Sequence, residues 1–255
     1  MQKVKNSIIL FVLTALFVLV GNPSPGVLAS PEAVAPDLGS AASFVALGFS
    51  TLTNTGSGVF VGDVGSNGTG TSVTGFPPGS VINGSIYMGG VVADLARTDA
   101  TTAYNNLDGQ TCNVDLTGLN LGGKTLTPGV YCFDTSAQLT GALVLDALGN
   151  SNAVWVFQTG TTLTTAPGSS VTLINGSTPL NVFWQVGSSA TLDTTTQFKG
   201  NILAYTSVSL NAGARLVGSA FGLNGAVTLD TNGSPSPIIA NTTLYNFLYM
   251  PLINK

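Results

Sequence analysis

The sequence predicts a mostly-β fold: a solenoid of short parallel strands, three to a turn, with one long helix packed alongside. Three observations predict it. A phrase of Ser, Thr, Ala and Val closing on Leu recurs at Thr162-Leu163, Thr191-Leu192, Ser209-Leu210 and Thr228-Leu229. The steps from Leu145 to Leu163, from Leu192 to Leu210 and from Leu210 to Leu229 are nearly equal, and a constant step of this kind in β-branched sequence, with Gly and Asn between runs, marks a coiling solenoid. Finally, one set of strands is apolar on both faces, and one amphipathic helix is present to cover it.

The elements follow in chain order. Lys3 and Lys5 precede an apolar run from Ile8 to Val20. That run is short for a membrane span and suits a secretory signal, with Val27-Leu28-Ala29 as a small-residue cleavage site. Residues 1–29 are therefore expected to be a signal peptide, 30–240 the solenoid domain and 241–255 a C-terminal tail. The other reading of the N-terminus is an uncleaved anchor. Ser43 to Leu47, Gly58 to Gly62, Ser80 to Ile82 and Ser85 to Met88 read as strands. Gly75-Phe76-Pro77-Pro78-Gly79 is a turn, because two prolines cannot sit in a paired strand.

Residues 90–107 carry the helical pattern. Val92, Leu95, Ala96, Ala103 and Leu107 fall on one stripe, and Asp108-Gly109 is a stop signal. Beyond Thr127-Pro128-Gly129 the chain alternates among three strand types. The first is apolar on both sides (Val154 to Phe157, Val182 to Val186, Ile202 to Tyr205, Ala220 to Leu223), and the helix is expected there. The second alternates around an inward Leu. Its outward positions are Thr162 and Thr164; Ser189, Thr191 and Asp193; Ser207, Ser209 and Asn211; and Ala226, Thr228 and Asp230. The third is mixed and includes Lys199 and Arg215. The step from Leu163 to Leu192 is longer than the others by more than half a repeat, so an excursion is expected near Asn175 to Pro179. Ser234-Pro235-Ser236-Pro237 ends the repeat, and an apolar tail follows.

Composition excludes several function classes. Charged residues make up 7% of the 255, and there is no histidine. Glu32 is the only glutamate, and the ten aspartates are scattered. His-based acid/base catalysis, Ser-His-Asp and Cys-His systems and His-ligated metals are therefore ruled out. No catalytic residue, metal or cofactor is expected. Without Lys3 and Lys5, five cationic side chains face eleven acidic ones. That balance argues against nucleic-acid and anionic-membrane partners. Cys112 and Cys132 fit an oxidising compartment, where a disulfide closing a loop of about 20 residues is worth on the order of 3 kcal/mol; two buried free thiols are the other reading.

Stacked coils bring equivalent positions to ~4.7–4.9 Å apart, close to the oxygen repeat on some ice planes. An uncharged plane of small hydroxyls at that spacing can hold a layer of ordered water, whereas ions keep their own hydration shells. The same residues also suit any solvent-facing sheet.

Longer phrases carry a resemblance. Ala153 to Leu163 (AVWVFQTGTTL), Asn181 to Leu192 (NVFWQVGSSATL) and Gly200 to Ala204 resemble runs in the ice-binding (antifreeze) proteins of cold-adapted fungi, bacteria and algae. So do Gly225 to Asp230, Thr74 to Gly79 and Leu126 to Tyr131. The likeness covers about residues 37 to 232 in order. It implies a discontinuous right-handed β-solenoid of triangular section with one long helix alongside. It also implies a secreted, non-enzymatic protein whose partner is ice, blocking ice growth and recrystallisation. A monomer is expected. Assigning the ice-binding plane to the second strand type is a reading of the residues, not of the family. It nominates Thr162, Thr164, Ser189, Thr191, Ser207, Ser209 and Thr228, with Thr71 and Thr74 extending the sheet. The rivals are a secreted β-helix adhesin and a polysaccharide-active protein. The latter would need a carboxylate pair such as Asp193 and Asp230, with Asn211 between them.

Overall fold

The computed structural model describes residues 32–231 and the strand Ile238–Ile239. The expected signal peptide, 1–29, and tail, 241–255, lie outside the described residues. The chain winds through three parallel sheets of nine, seven and eight strands. Each coil places one strand in each sheet. Trp155–Thr159, Leu163–Thr165 and Ser170–Ile174 make one such coil, and Val182–Val186 begins the next. The excursion lies at its expected place: Asn175 takes a left-handed φ of 55°, and a short 3-10 helix, Pro179–Asn181, leads into Val182.

The stack is discontinuous. Phe44–Gly48 and Leu52–Thr55, at the start of the chain, pair with Ala220–Gly222 and Val227–Asp230 at its end. The chain then makes further coils outward, to Ile86–Met88 at the edge of the first sheet. Helix α1, Val91–Asp108, returns along that sheet, and winding resumes at the far edge with Val114–Asp115 and Gly129–Phe133.

Period-2 alternation divides the apolar residues into two cores. Inside the solenoid stand Trp155, Trp184, Phe157, Phe198 and the Leu rows. Phe157 stacks on Trp184 with centroids 3.9 Å apart and planes at 9°. Between the first sheet and α1 lie Phe44, Val130, Val156, Phe183, Leu203 and Phe221. The two-sided apolar strands are thus covered where the sequence requires it.

The helix face differs from expectation. Its buried residues are Ala93, Ala96, Ala100, Ala103 and Leu107, whereas Val92 and Leu95 are 44% and 52% exposed. Phenylalanines from the sheet fill the gap, so the helix presents alanine and sits close; a stripe of larger residues would overfill the same space. Gly39–Ser43, a 3-10 turn, packs on α1, and Asp99 Oδ2 accepts from the Ser40 amide at 2.7 Å. At the other end Cys112 and Cys132 are bonded, Cα atoms 5.9 Å apart, tying the helix exit to Gly129–Phe133.

Candidate functional site: a flat hydroxyl sheet

The seven-stranded sheet runs Ala137–Leu139, Leu163–Thr165, Ala190–Leu192, Val208–Leu210, Val227–Asp230, Leu52–Thr55, Val73–Thr74. Leu163, Leu192, Leu210, Leu229 and Leu52 point inward and are buried. Their outward neighbours come into register as one continuous rung: Gln138, Thr164, Thr191, Ser209, Thr228, Thr53, Thr74. Six of the seven carry hydroxyls, none carries a charge, and six strand intervals give a length of about 29 Å. Thr74 Oγ1 donates to Thr53 Oγ1 at 3.4 Å.

Two residues before each of the rung positions Thr164, Thr191, Ser209, Thr228 and Thr53 lies a second row, Thr162, Ser189, Ser207, Ala226 and Thr51. Its carbonyls accept in turn from the amides of Ala137, Leu163, Ala190, Val208 and Val227 at 2.9–3.2 Å. Even pairing of this kind keeps the plane level. Ser207 Oγ also accepts from the Ala226 amide at 3.1 Å, fixing that hydroxyl.

All but one of the nominated positions therefore fall in these two rows. The exception is Thr71, which sits in an exposed bend before Val73–Thr74. Ser72 reaches the row position instead and turns in, 6% exposed, with its hydroxyl donating to Gly68 O at 2.7 Å. Thr53 and Thr51 join the rows without having been nominated. They stand far from the repeat in sequence, yet Thr51-Leu52-Thr53 repeats the phrase Thr162-Leu163-Thr164, and that is the signal that could have found them.

Polar residues hold the sheet's edge from within. Thr165 and Thr196 share a buried hydroxyl contact of 2.8 Å, and Thr165 Oγ1 accepts from the Asp193 amide at 2.8 Å. Asn54 Nδ2 donates to Gly56 O and Gly75 O at 2.9 and 3.0 Å, and Thr231 Oγ1 donates to Asn54 Oδ1 at 2.9 Å.

The carboxylate reading finds no general acid at Asp193. Asn211 Nδ2 donates to Asp193 Oδ1 at 3.0 Å and the Thr194 amide to the same oxygen at 2.7 Å. These bonds, the Asn211 one first, hold the Asp193 carboxyl below its usual range. A general acid needs the opposite shift. Among the described residues there is no group of three or more His, Cys, Asp or Glu that could hold a metal. No described helix is long and apolar enough to cross a membrane.

On the seven-stranded sheet Asp193 and Asp230 lie two residues past the rung, so the rung is uncharged and the row beside it is not; the other faces are less suited to a level plane. The first sheet lies under α1. The third stacks Ser170 on Gln197 on Arg215 and Lys199 on Val217, so cations interrupt it. Lys199 is half-buried, and burial lowers its pKa.

Comparison with known proteins agrees with this architecture. Residues 46–234 match the family described as ice-binding-like. An ice-binding protein of Nostoc sp. (strain HG1) is 57% identical over 196 residues, covering 76% of this chain and 72% of the relative. The crystal structure of an ice-binding protein from the Antarctic ascomycete Antarctomyces psychrotrophicus superposes with a TM-score of 0.74 at 41% identity, over 78% of this chain and 97% of that one. One from an Antarctic biological consortium gives 0.76 at 42%, over 80% and 91%. With a family match across most of its length, and with the same solenoid, this chain belongs to the ice-binding-like family.

Proposed function

We propose that this protein binds ice through the seven-stranded sheet, and by adsorbing there restrains ice growth and recrystallisation. The single observation that carries the assignment of the face is the uncharged rung from Gln138 to Thr74, in register across seven strands. Hydroxyls spaced ~4.8 Å apart along it can each anchor one water of an ordered layer, and water-mediated hydrogen bonds are nearly as favourable as direct ones. The threonine methyls between them offer no competing hydrogen bond. A charge would hold its own shell and break the layer. Backbone pairing on both sides of the five inner strands keeps the array rigid before ice arrives, so little conformational entropy is lost on adsorption. Molecules fixed to the surface then force ice to advance between them as curved fronts, which lowers the local freezing point.

The protein works without catalysis, cofactor or metal, as a monomer. With a signal-like N-terminus it is exported and meets ice outside the cell. The adhesin and polysaccharide readings have no specific observation on this face to favour them.

Thr191 stands mid-rung between Thr164 and Ser209. Thr191→Tyr is expected to lower thermal hysteresis severalfold with an unchanged circular dichroism spectrum. Full hysteresis in that variant, with loss on substituting Thr172 or Gln197 instead, would move the site to the third sheet.

A further inference from the structure

A groove of about 680 Å³ runs along the solenoid between the last turns of α1 and the strand ends where the chain leaves the first sheet. Its floor follows one corner through Asp134, Gly160, Gly187 and Tyr205 in four successive coils. A Cβ on Gly160 would collide with Asp134 O, and one on Gly187 with Gly160 O. Stacking therefore excludes side chains at both positions, so the floor is bare at its two central coils, between Asp134 and Tyr205, which stand about three strand intervals, ~14 Å, apart.

Polar and aromatic groups line this trough. Tyr104 and Tyr205 face each other with centroids 6.1 Å apart, and Tyr205 is 52% exposed. Gln185, 2% exposed, hydrogen-bonds Tyr104 with one of the four hydrogen-bonding positions of its amide. Gln158 spends its Nε2 on the carbonyls of Leu107, Asp108 and Gln110 at 2.7, 3.2 and 2.8 Å. Its Oε1 faces Cys132 Sγ at 3.1 Å, and a disulfide sulfur has no hydrogen to give. That acceptor suits a donor arriving in the groove. Asp108 and Asp134 add carboxylates, and no Lys or Arg is in the lining.

We propose that this groove binds a neutral oligosaccharide. Pyranose rings present apolar C–H faces and rims of hydroxyls. Phenol faces match the first; carboxamide and carboxylate oxygens accept from the second. The missing cation disfavours acidic glycans. A floor bare at its two central coils, with Asp134 and Tyr205 at its ends, fits a linear chain better than a compact ligand. The site lies on the helix side of the corner, so a glycan held there leaves the hydroxyl sheet free. It does not depend on how that sheet is used.

The test is titration calorimetry of the full chain with cellohexaose, chitohexaose, maltohexaose and an oligogalacturonate. At least one neutral hexasaccharide is expected to bind at millimolar concentration or below. Affinity should fall at least tenfold in Tyr205→Ala and in Asp134→Ala, both exposed positions, with thermal unfolding unchanged. Thr191→Tyr should keep the sugar affinity, and Tyr205→Ala should keep ice adsorption. No binding of the three neutral sugars, preference for the oligogalacturonate, affinity unmoved in both groove variants, or affinity lost in Thr191→Tyr would each overturn the proposal.

Discussion

At the scale of single residues, register and not residue type decides which threonines join the rung. Thr53 and Thr71 are both threonines near the N-terminal end of the described chain, but only Thr53 is in register, between Thr228 and Thr74. Thr71 lies in a bend off the plane. A lysine at position 53 would place a strongly hydrated charge inside the ordered layer. At position 71 the same charge would stand clear of it. Thr53→Lys is expected to reduce thermal hysteresis severalfold and Thr71→Lys to leave it within about a factor of two, measured on crystals in a nanolitre osmometer with matched folding. Equal losses would mean that Thr71 also meets ice. The residue scale is also where sequence reading falls short. Thr162, Thr164, Ser189, Thr191, Ser207, Ser209 and Thr228 are legible because they sit in a repeat of nearly constant period. Thr53 shares their phrase but stands outside that period: its neighbour Thr228 lies near the opposite end of the described chain, which leaves and rejoins the stack between them.

The helix shows what pattern can and cannot say about an element. Its end is readable from Asp108-Gly109, and its location from the two-sided apolar strands it covers. Its rotation is not. Amphipathic reasoning weights large apolar side chains, which turns Val92 and Leu95 inward, whereas the sheet beneath supplies Phe44, Phe183 and Phe221 and leaves room only for alanine. The volume available at an interface is a property of both partners, and one element's sequence records half of it. Ala100 is fully buried against that layer, so Ala100→Leu is expected to cost about 1–3 kcal/mol by overpacking. Leu95→Ser, on the exposed side, should fall within about 0.5 kcal/mol of the parent. Urea unfolding curves compare the two. The reverse order would place the helix in the rotation that the sequence alone suggests.

For the whole molecule, the distribution of charge sets how ice binding responds to conditions. The chain has no histidine and seven basic residues, and the rung itself contains no titratable group. One acidic group bonded at the sheet's edge, Asp193, has its carboxyl held low by Asn211 and the Thr194 amide. A depressed folded-state pKa adds stability that is present above the usual carboxylate value and lost as pH falls through the folded one. Asp115 behaves the same way, held low by the Thr117 side chain and amide. Both effects lie on the acid side of about pH 4, and the ordinary Lys and Tyr transitions lie near 10. Between those limits the plane has no proton to gain or lose; Lys199, whose pKa burial lowers, stands in the third sheet, away from the rung. Thermal hysteresis is therefore expected to change by less than about twofold from pH 5 to pH 9 at constant ionic strength, then decline below pH 4 together with the unfolding temperature. A severalfold change near neutrality would require a titrating group in contact with ice, and so a contact surface other than this rung.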